Sequence, residues 1–206
     1  MTKKEALAIV FACAQDYKEN LIGKSLLFVC MDKYKNTYCV EVTFDVSNFQ
    51  HMTGLQTKFS AREFFHKCID KRLRESDFWF SKDGTTELKI MGLPGLVRKN
   101  ISANMIGDYN MSQPKLYTER IAGGVKACIG FVKSRETGRY VPNTVLNGDI
   151  RNKVNKVDRI VATYRKNREE QQYTELVYLA KRVEWEKLLL PKEYQYLHLP
   201  KNSPWS

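Results

Sequence analysis

The order of hydrophobic patterns along the chain is the feature that most limits its fold. The first half begins with apolar residues at helical spacing, namely Leu7, Val10, Phe11, Ala14, Tyr17 and Leu21. The second half alternates in pairs of short segments that predict two hairpins, 125–132 with 139–146 and 159–165 with 173–181. Helices followed by antiparallel strands are typical of an α+β protein. We therefore expect N-terminal helices packed on a mainly antiparallel sheet.

The N-terminal segment admits two interpretations. Lys3 and Lys4 before the apolar run 6–14 resemble the start of a signal peptide. Thr2 and Glu5 instead form the capping-box pair that begins a helix. Because Glu5 fits poorly in a positively charged leader, the sequence favours the amphipathic helix.

Two further helices are marked by local signals. Ser60 and Glu63 have the spacing of a capping box before an apolar stripe, so a helix is expected from about residue 61. Another is expected to begin near residue 85 and to be followed by a helical piece over 96–106. Residues that favour turns are expected to interrupt the helix that begins near 85, and these are Gly92, Pro94 and Gly95. In the first half, segments 26–30 and 38–44 predict strands.

Length and cysteine usage suggest one domain in a reducing compartment. The chain has 206 residues, and we expect a single domain over 1–190 with a surface tail over 191–206. Five cysteines, an odd number without C-x-x-C spacing, argue against a disulfide framework and a zinc site. No apolar run approaches the roughly 20 residues of a membrane helix. We therefore expect a cytoplasmic protein with no membrane partner.

The charge of the chain favours a polyanionic partner. The formal net charge is +11, and lysine and arginine are dense between residues 151 and 168. A lysine-rich surface without a ligand is the alternative explanation. The sequence has no Walker loop, H-E-x-x-H motif or dinucleotide-binding glycine motif, so we expect neither a cofactor nor a catalytic metal.

The segment 47–55 contains the first pair of candidate catalytic residues. His51 and Thr53 fall in a predicted loop between a strand and a capped helix, and such loops often carry functional side chains. Histidine is the side chain best suited to proton transfer at neutral pH. We expect Phe49, Met52 and Leu55 to anchor the loop, with His51 and Thr53 facing solvent. The alternative is a histidine that only stabilises the loop.

The predicted strand 159–166 provides the second set. Alternation places Ile160, Ala162 and Tyr164 on one face of this strand. The other face would carry Arg159, Val161, Thr163 and Arg165, a row that could hold a phosphate. Further candidate contacts to nucleic acid are Arg151, Lys153, Lys166 and, by stacking, Tyr164. An exposed strand face on which Arg165 pairs with Glu175 is the alternative.

Three ordered segments resemble a known family. Residues 48–54 (NFQHMTG) resemble the F-x-H-[LM]-T-G signature of the fourth subtype of phage barnase–EndoU–colicin–RelE-like nucleases. The segments 140–151 (YVPNTVLNGDIR) and 160–166 with 173–178 are also similar to that family. The resemblance implies a barnase/RelE-like core with N-terminal helices and a four-stranded antiparallel sheet.

The resemblance also implies metal-independent RNA cleavage by attack of the 2′-hydroxyl on its own phosphate, giving a cyclic phosphate. By matching position, His51 would transfer the proton, and Thr53 would orient the phosphate or His51. Arg165, with Thr163 and Arg151, would stabilise the developing charge. RNA is then the expected partner, with an antitoxin or immunity protein as a second one. The alternatives are a non-catalytic nucleic-acid-binding module and a phage structural protein.

Overall fold

The computed structural model describes residues 1–111 and 117–199. The helices of this part of the chain are α1 (Lys3–Asn20), α2 (Asn48–Thr53), α3 (Ala61–Ile69) and α4 (Thr85–Leu96). The strands are β1 (Lys24–Met31), β2 (Thr37–Thr43), β3 (Gln56–Thr57), β4 (Phe78–Trp79), β5 (Met105–Asp108), β6 (Arg120–Gly123), β7 (Ala127–Lys133), β8 (Tyr140–Asn147), β9 (Asp158–Asn167) and β10 (Glu175–Leu179). Helices and a mainly antiparallel sheet confirm the expected α+β class.

One sheet contains eight of these strands and nearly closes on itself. Its order is β1-β2-β8-β7-β6-β5-β9-β10, and β1 also pairs with β9. All pairings in this sheet are antiparallel except the single parallel contact between β2 and β8. The short strands β3 and β4 form a separate two-stranded ribbon. The sheet is thus larger than the four strands that the family resemblance implied.

The sheet has an apolar core on each face of β1. Leu26, Phe28 and Cys30 face the helices, because alternate residues of a strand point to opposite sides. Leu27 and Val29 face the other way, into a smaller cluster formed with the C-terminal segment. Burial on both faces explains why β1 has an unbroken apolar sequence.

Aromatic rings connect the helices to the sheet. Tyr17 of α1 lies 5.2 Å from Phe49 of α2 and 6.1 Å from Phe44, measured between ring centroids. Phe131 of β7 lies 6.5 Å from both Phe28 and Phe44. Contacts of Phe131 therefore join β7 to β1 and to the end of β2 through the core.

Local signals located the ends of several elements correctly. Thr2 and Glu5 form the complete capping box of α1, and the Ser60 side chain accepts a hydrogen bond from the Glu63 amide. The two predicted hairpins are β7–β8 and β9–β10. Within the described residues, none of the helices has both the length and the apolar composition needed to cross a bilayer.

The predicted interruption of α4 is wrong. The helix continues through Gly92, Pro94 and Gly95 to Leu96. Packing explains part of this outcome, because a Cβ at Gly92 would lie 3.0 Å from the Cβ of Ala127. The absence of a side chain there allows α4 to lie close to the sheet. The helical piece expected over 96–106 is also wrong, since that segment forms turns and then enters β5.

The described end of the chain packs on the outer face of β1 and β9. Leu197 is buried there, and the Tyr164 hydroxyl donates to the His198 carbonyl. The Tyr173 amide donates to the Tyr196 hydroxyl. The part of the expected tail up to residue 199 is therefore anchored to the sheet, and residues 200–206 lie outside the described residues.

Candidate active site

The predicted row of arginines on β9 is wrong because the strand contains a bulge. Val29 pairs with Ala162 and Cys30 pairs with Ile160, which leaves Val161 as an extra residue. The bulge reverses the alternation. Ala162 and Tyr164 consequently join the outer cluster, whereas Ile160 belongs to the core beneath the helices.

Arg165 is held inside the protein by specific partners. Its Nε and Nη2 donate to the two carboxylate oxygens of Glu175 at 2.6 and 2.7 Å. Its Nη1 donates to the carbonyl of Asn20, the last residue of α1. Only 8% of Arg165 is exposed, and the cross-hairpin pair with Glu175 is the alternative that the sequence allowed.

The other residues predicted as contacts on this strand lie on different faces of the sheet, and most of them are buried. Thr163 is fully buried on the helix side of the sheet, and its hydroxyl has no hydrogen-bond partner among the described residues. Lys166 is buried on the outer face, where its ammonium donates to the Gln171 carbonyl. Tyr164 is buried beneath the C-terminal segment, and exposed Arg159 donates to the Lys181 carbonyl.

Removing Arg165 should therefore affect stability. For Arg165→Ala we expect a loss of about 1–3 kcal/mol in the free energy of unfolding, because hydrogen bonds to charged groups are lost and the Asn20 carbonyl loses its donor. Urea unfolding followed by circular dichroism measures this. The exposed Arg159→Ala is the matched control, with an expected change within about 0.5 kcal/mol. Unchanged stability in Arg165→Ala together with lost RNA binding would restore Arg165 as a substrate contact.

The segment around His51 is a short helix, not a loop. Phe49, Met52 and Leu55 are buried and anchor it, as expected. His51 is exposed, and its ring makes no hydrogen bond within the described part of the chain. A free, accessible imidazole can reach a bound ligand.

The expectation that Thr53 faces solvent is wrong. Thr53 is fully buried, and its hydroxyl donates to the Gln50 carbonyl at 2.8 Å. The same oxygen accepts from the Leu55 amide at 3.2 Å. These two hydrogen bonds fix the end of α2. Because Gln50 directly precedes His51, they also help to hold the backbone at that histidine in place.

Gly54 explains the last position of the signature. It ends α2 with a φ of 69°, a left-handed conformation that favours glycine. A Cβ on Gly54 would lie only 2.7 Å from Cδ of Lys89. The glycine therefore allows the Lys89 side chain of α4 to cross the end of α2.

A cleft of about 380 Å³ lies between this corner and β8. We call it the α4–β8 cleft. Its walls come from Gly54 and Gln56, from the start of α4, from residues 144–147 of β8, and from Lys153. Two of the three family-like segments, 48–54 and 140–151, therefore meet at this cleft. His51 lies three residues before Gly54, which is one helical turn from the rim.

The chemistry of the α4–β8 cleft suits an anionic ligand. Lys89 and Lys153 line the cleft together with Thr144, and Asp83 is an acid in the same lining. Burial lowers the pKa of the Lys89 ammonium from its ordinary value, and the nearby Asp83 carboxylate acts in the opposite direction. A partly buried cation at a concave surface, as Lys89 is here, is a common feature of functional sites.

A second cleft of about 860 Å³ continues along α4. It shares Asn147 with the α4–β8 cleft and adds Arg98 and Lys126. Arg151, a predicted contact, is exposed just beyond β8, where the Asp149 carboxylate binds its guanidinium. Among the described residues, the two clefts together are lined by four cationic side chains, and these are Lys89, Arg98, Lys126 and Lys153.

Only part of this cleft could be predicted from the sequence. Lys153 was predicted as a contact, and residues 144–147 lie in a segment quoted for its family likeness. Lys89 was missed, since it lies in a helix without any motif. The spacing of Lys89 from the signature, 35 residues after Gly54, gives no indication that the two are in contact.

Comparison with known proteins agrees with the motifs. A family model described as phage-Barnase-EndoU-ColicinE5/D-RelE like nuclease4 matches residues 9–182. Neither the curated proteins nor the solved structures included a significant match to the chain. The family match covers most of the chain and both family-like segments at the cleft. The protein therefore belongs to the phage-Barnase-EndoU-ColicinE5/D-RelE like nuclease family of the fourth type.

Proposed function

We propose that this nuclease cleaves RNA without a metal cofactor and that the reaction takes place at the α4–β8 cleft. One observation carries the proposal: Gly54 of the signature, residues 144–147 of β8 and the two lysines Lys89 and Lys153 line one concave surface. His51 lies one helical turn before Gly54, beside this surface. The net charge of +11 supports a polyanionic substrate.

The proposed reaction uses a nucleophile that RNA itself contains. The 2′-hydroxyl oxygen forms a bond to the adjacent phosphorus, the bond from phosphorus to the 5′-oxygen breaks, and a 2′,3′-cyclic phosphate results. The 2′-hydroxyl loses its proton, and the departing 5′-oxygen gains one. Such a reaction requires proton transfer and stabilisation of negative charge.

In this proposal, Lys89 and Lys153 of the cleft and the neighbouring His51 provide these functions. His51 is exposed and free to exchange a proton with the substrate. Lys89 and Lys153 neutralise charge that accumulates on the phosphate oxygens. In this proposal the two lysines take the role that the resemblance gave to Arg165, whose guanidinium is bound to Glu175.

The direct test is cleavage of single-stranded RNA by purified protein in excess EDTA. We expect products that end in a cyclic phosphate, identified by mass spectrometry. The same oligonucleotide with 2′-O-methyl sugars should remain intact, because it lacks the nucleophile. Intact RNA under these conditions, or equal cleavage of the methylated strand, would contradict the proposed reaction.

Loss of either cleft lysine should lower RNA cleavage strongly. For Lys89→Ala and Lys153→Ala we expect a drop in kcat/KM of about 10- to 100-fold, because each removes a cation that stabilises the transition state. Lys33→Ala, an exposed lysine in the β1–β2 turn, is the matched control and should retain wild-type rates. Rates equal to the control in both variants would move the reaction away from this cleft.

A further inference from the structure

The ribbon of β3 and β4 presents an exposed tryptophan beside the α4–β8 cleft. Trp79 is 45% exposed, whereas its neighbour Phe78 is buried in the core. Trp79 pairs directly with Gln56, and Gln56 lines the cleft. Cross-strand partners have Cβ atoms about 4.5–5.5 Å apart on the same face of a sheet. The indole therefore lies immediately beside the cleft.

A basic cluster lies at the other end of the ribbon. It consists of Lys67, Lys71, Arg72 and Arg74, which line a depression of about 460 Å³. The acid in this lining is Asp77, whose carboxylate accepts a hydrogen bond from the Arg74 amide. Arg72 also pairs with the nearby Asp70. The depression keeps a cationic excess.

The ribbon connects the two surfaces over a short distance. Asp77 of the depression precedes Trp79 by two residues, and Ser81 of the cleft follows it by two. Ser81 is four residues after Asp77, and a fully extended chain of that length spans at most about 13 Å. The exposed Lys58 lies just after β3, two residues after Gln56.

We propose that this ribbon is a binding subsite for single-stranded RNA, in which a base stacks on Trp79 and the neighbouring phosphates contact the basic cluster. An aromatic platform beside a cationic track is the combination that binds single strands without sequence preference. A flexible strand can pass from the cleft over the indole to the cluster, as a stacked duplex cannot. The inference rests on the proposed function and defines its substrate as RNA that extends several nucleotides beyond the cleavage point.

Binding to uncleavable RNA tests the subsite separately from catalysis. The probe is a fluorescent 2′-O-methyl RNA of about 15 nucleotides, measured by anisotropy with the intact protein. Trp79→Ala should raise Kd about tenfold, the effect of one lost base–aromatic stack. Trp79→Phe keeps a ring and should recover most of the affinity. Tyr34→Ala, an exposed aromatic with Lys33 over its ring, is the matched control and should bind normally.

Salt dependence tests the basic cluster. The double variant Lys71→Ala/Arg74→Ala should reduce the slope of log affinity against log salt by about 1.4, because each phosphate contact to a single strand contributes about 0.7. A single nucleotide bound in the cleft should bind all these variants equally, since it is too short to reach the basic cluster or to stack on Trp79 as well.

The outcomes separate the two proposals. If no RNA is cleaved but Trp79→Ala still weakens binding, the subsite holds and the proposed reaction fails. If Trp79→Ala binds the long probe as well as the intact protein does, the subsite is wrong while cleavage can still stand. The RNA subsite would also be wrong if Trp79→Ala lost binding to anionic lipid vesicles while its affinity for RNA stayed unchanged.

Discussion

His51→Ala is expected to reduce RNA cleavage by about 10²- to 10⁴-fold, the usual contribution of a group that transfers a proton in the transition state. The decrease should appear in kcat, with KM nearly unchanged, because the imidazole acts on the reacting atoms and adds little to substrate binding. Single-turnover rates on a labelled RNA in EDTA would measure it.

The structure indicates that His51→Ala can change catalysis without changing the stability of the fold. His51 is exposed and makes no hydrogen bond within the described residues, so the melting temperature should not change measurably. His66→Ala is the matched control, since His66 is also an exposed histidine on a helix and lies on α3. Wild-type rates in His51→Ala would remove this residue from the site. Equal loss in both variants would show that the effect is not specific.

Phe131→Ala should destabilise the fold more than any surface change. Phe131 is 1% exposed and contacts Phe28 and Phe44 edge-on in the core. Replacing a buried phenylalanine by alanine costs about 3–5 kcal/mol, through lost burial and the cavity left behind. Urea unfolding should show a lower midpoint at a similar slope.

A second substitution gives the scale for this measurement. Leu189 is 87% exposed, so Leu189→Ala should change the free energy of unfolding by no more than about 0.5 kcal/mol. A loss below about 1 kcal/mol in Phe131→Ala would mean that β7 does not share a core with β1 and β2. The interpretation of the sheet as a nearly closed ring would then be wrong.

The sequence predicts local structure best where that structure depends on neighbouring residues. The capping pairs at Thr2 and Ser60 located the starts of α1 and α3, because a cap involves groups only three residues apart. Alternation likewise identified the β7–β8 hairpin. Pro142 lies beside the register shift of this hairpin, where the ladder is irregular.

The failures arose where distant contacts decide the outcome. The bulge at Val161 is set by pairing with β1, some 130 residues earlier in the chain, and it reversed the faces assigned to β9. The short strands β5 and β6 lack a clear alternating pattern and form only against their neighbours. Lys89 reaches the signature through the space above Gly54, which a linear pattern does not reveal.

The pairing of β1 with β9 affects how the protein folds during its synthesis on the ribosome. Lys24 of β1 pairs with Asn167 of β9, so the first strand gains its second partner only after β9 has been made. Contacts of such sequence separation slow folding and leave strand edges exposed in the meantime. The ring of strands therefore cannot close until β9 has left the ribosome, which delays the appearance of any nuclease activity in the cell that produces the protein.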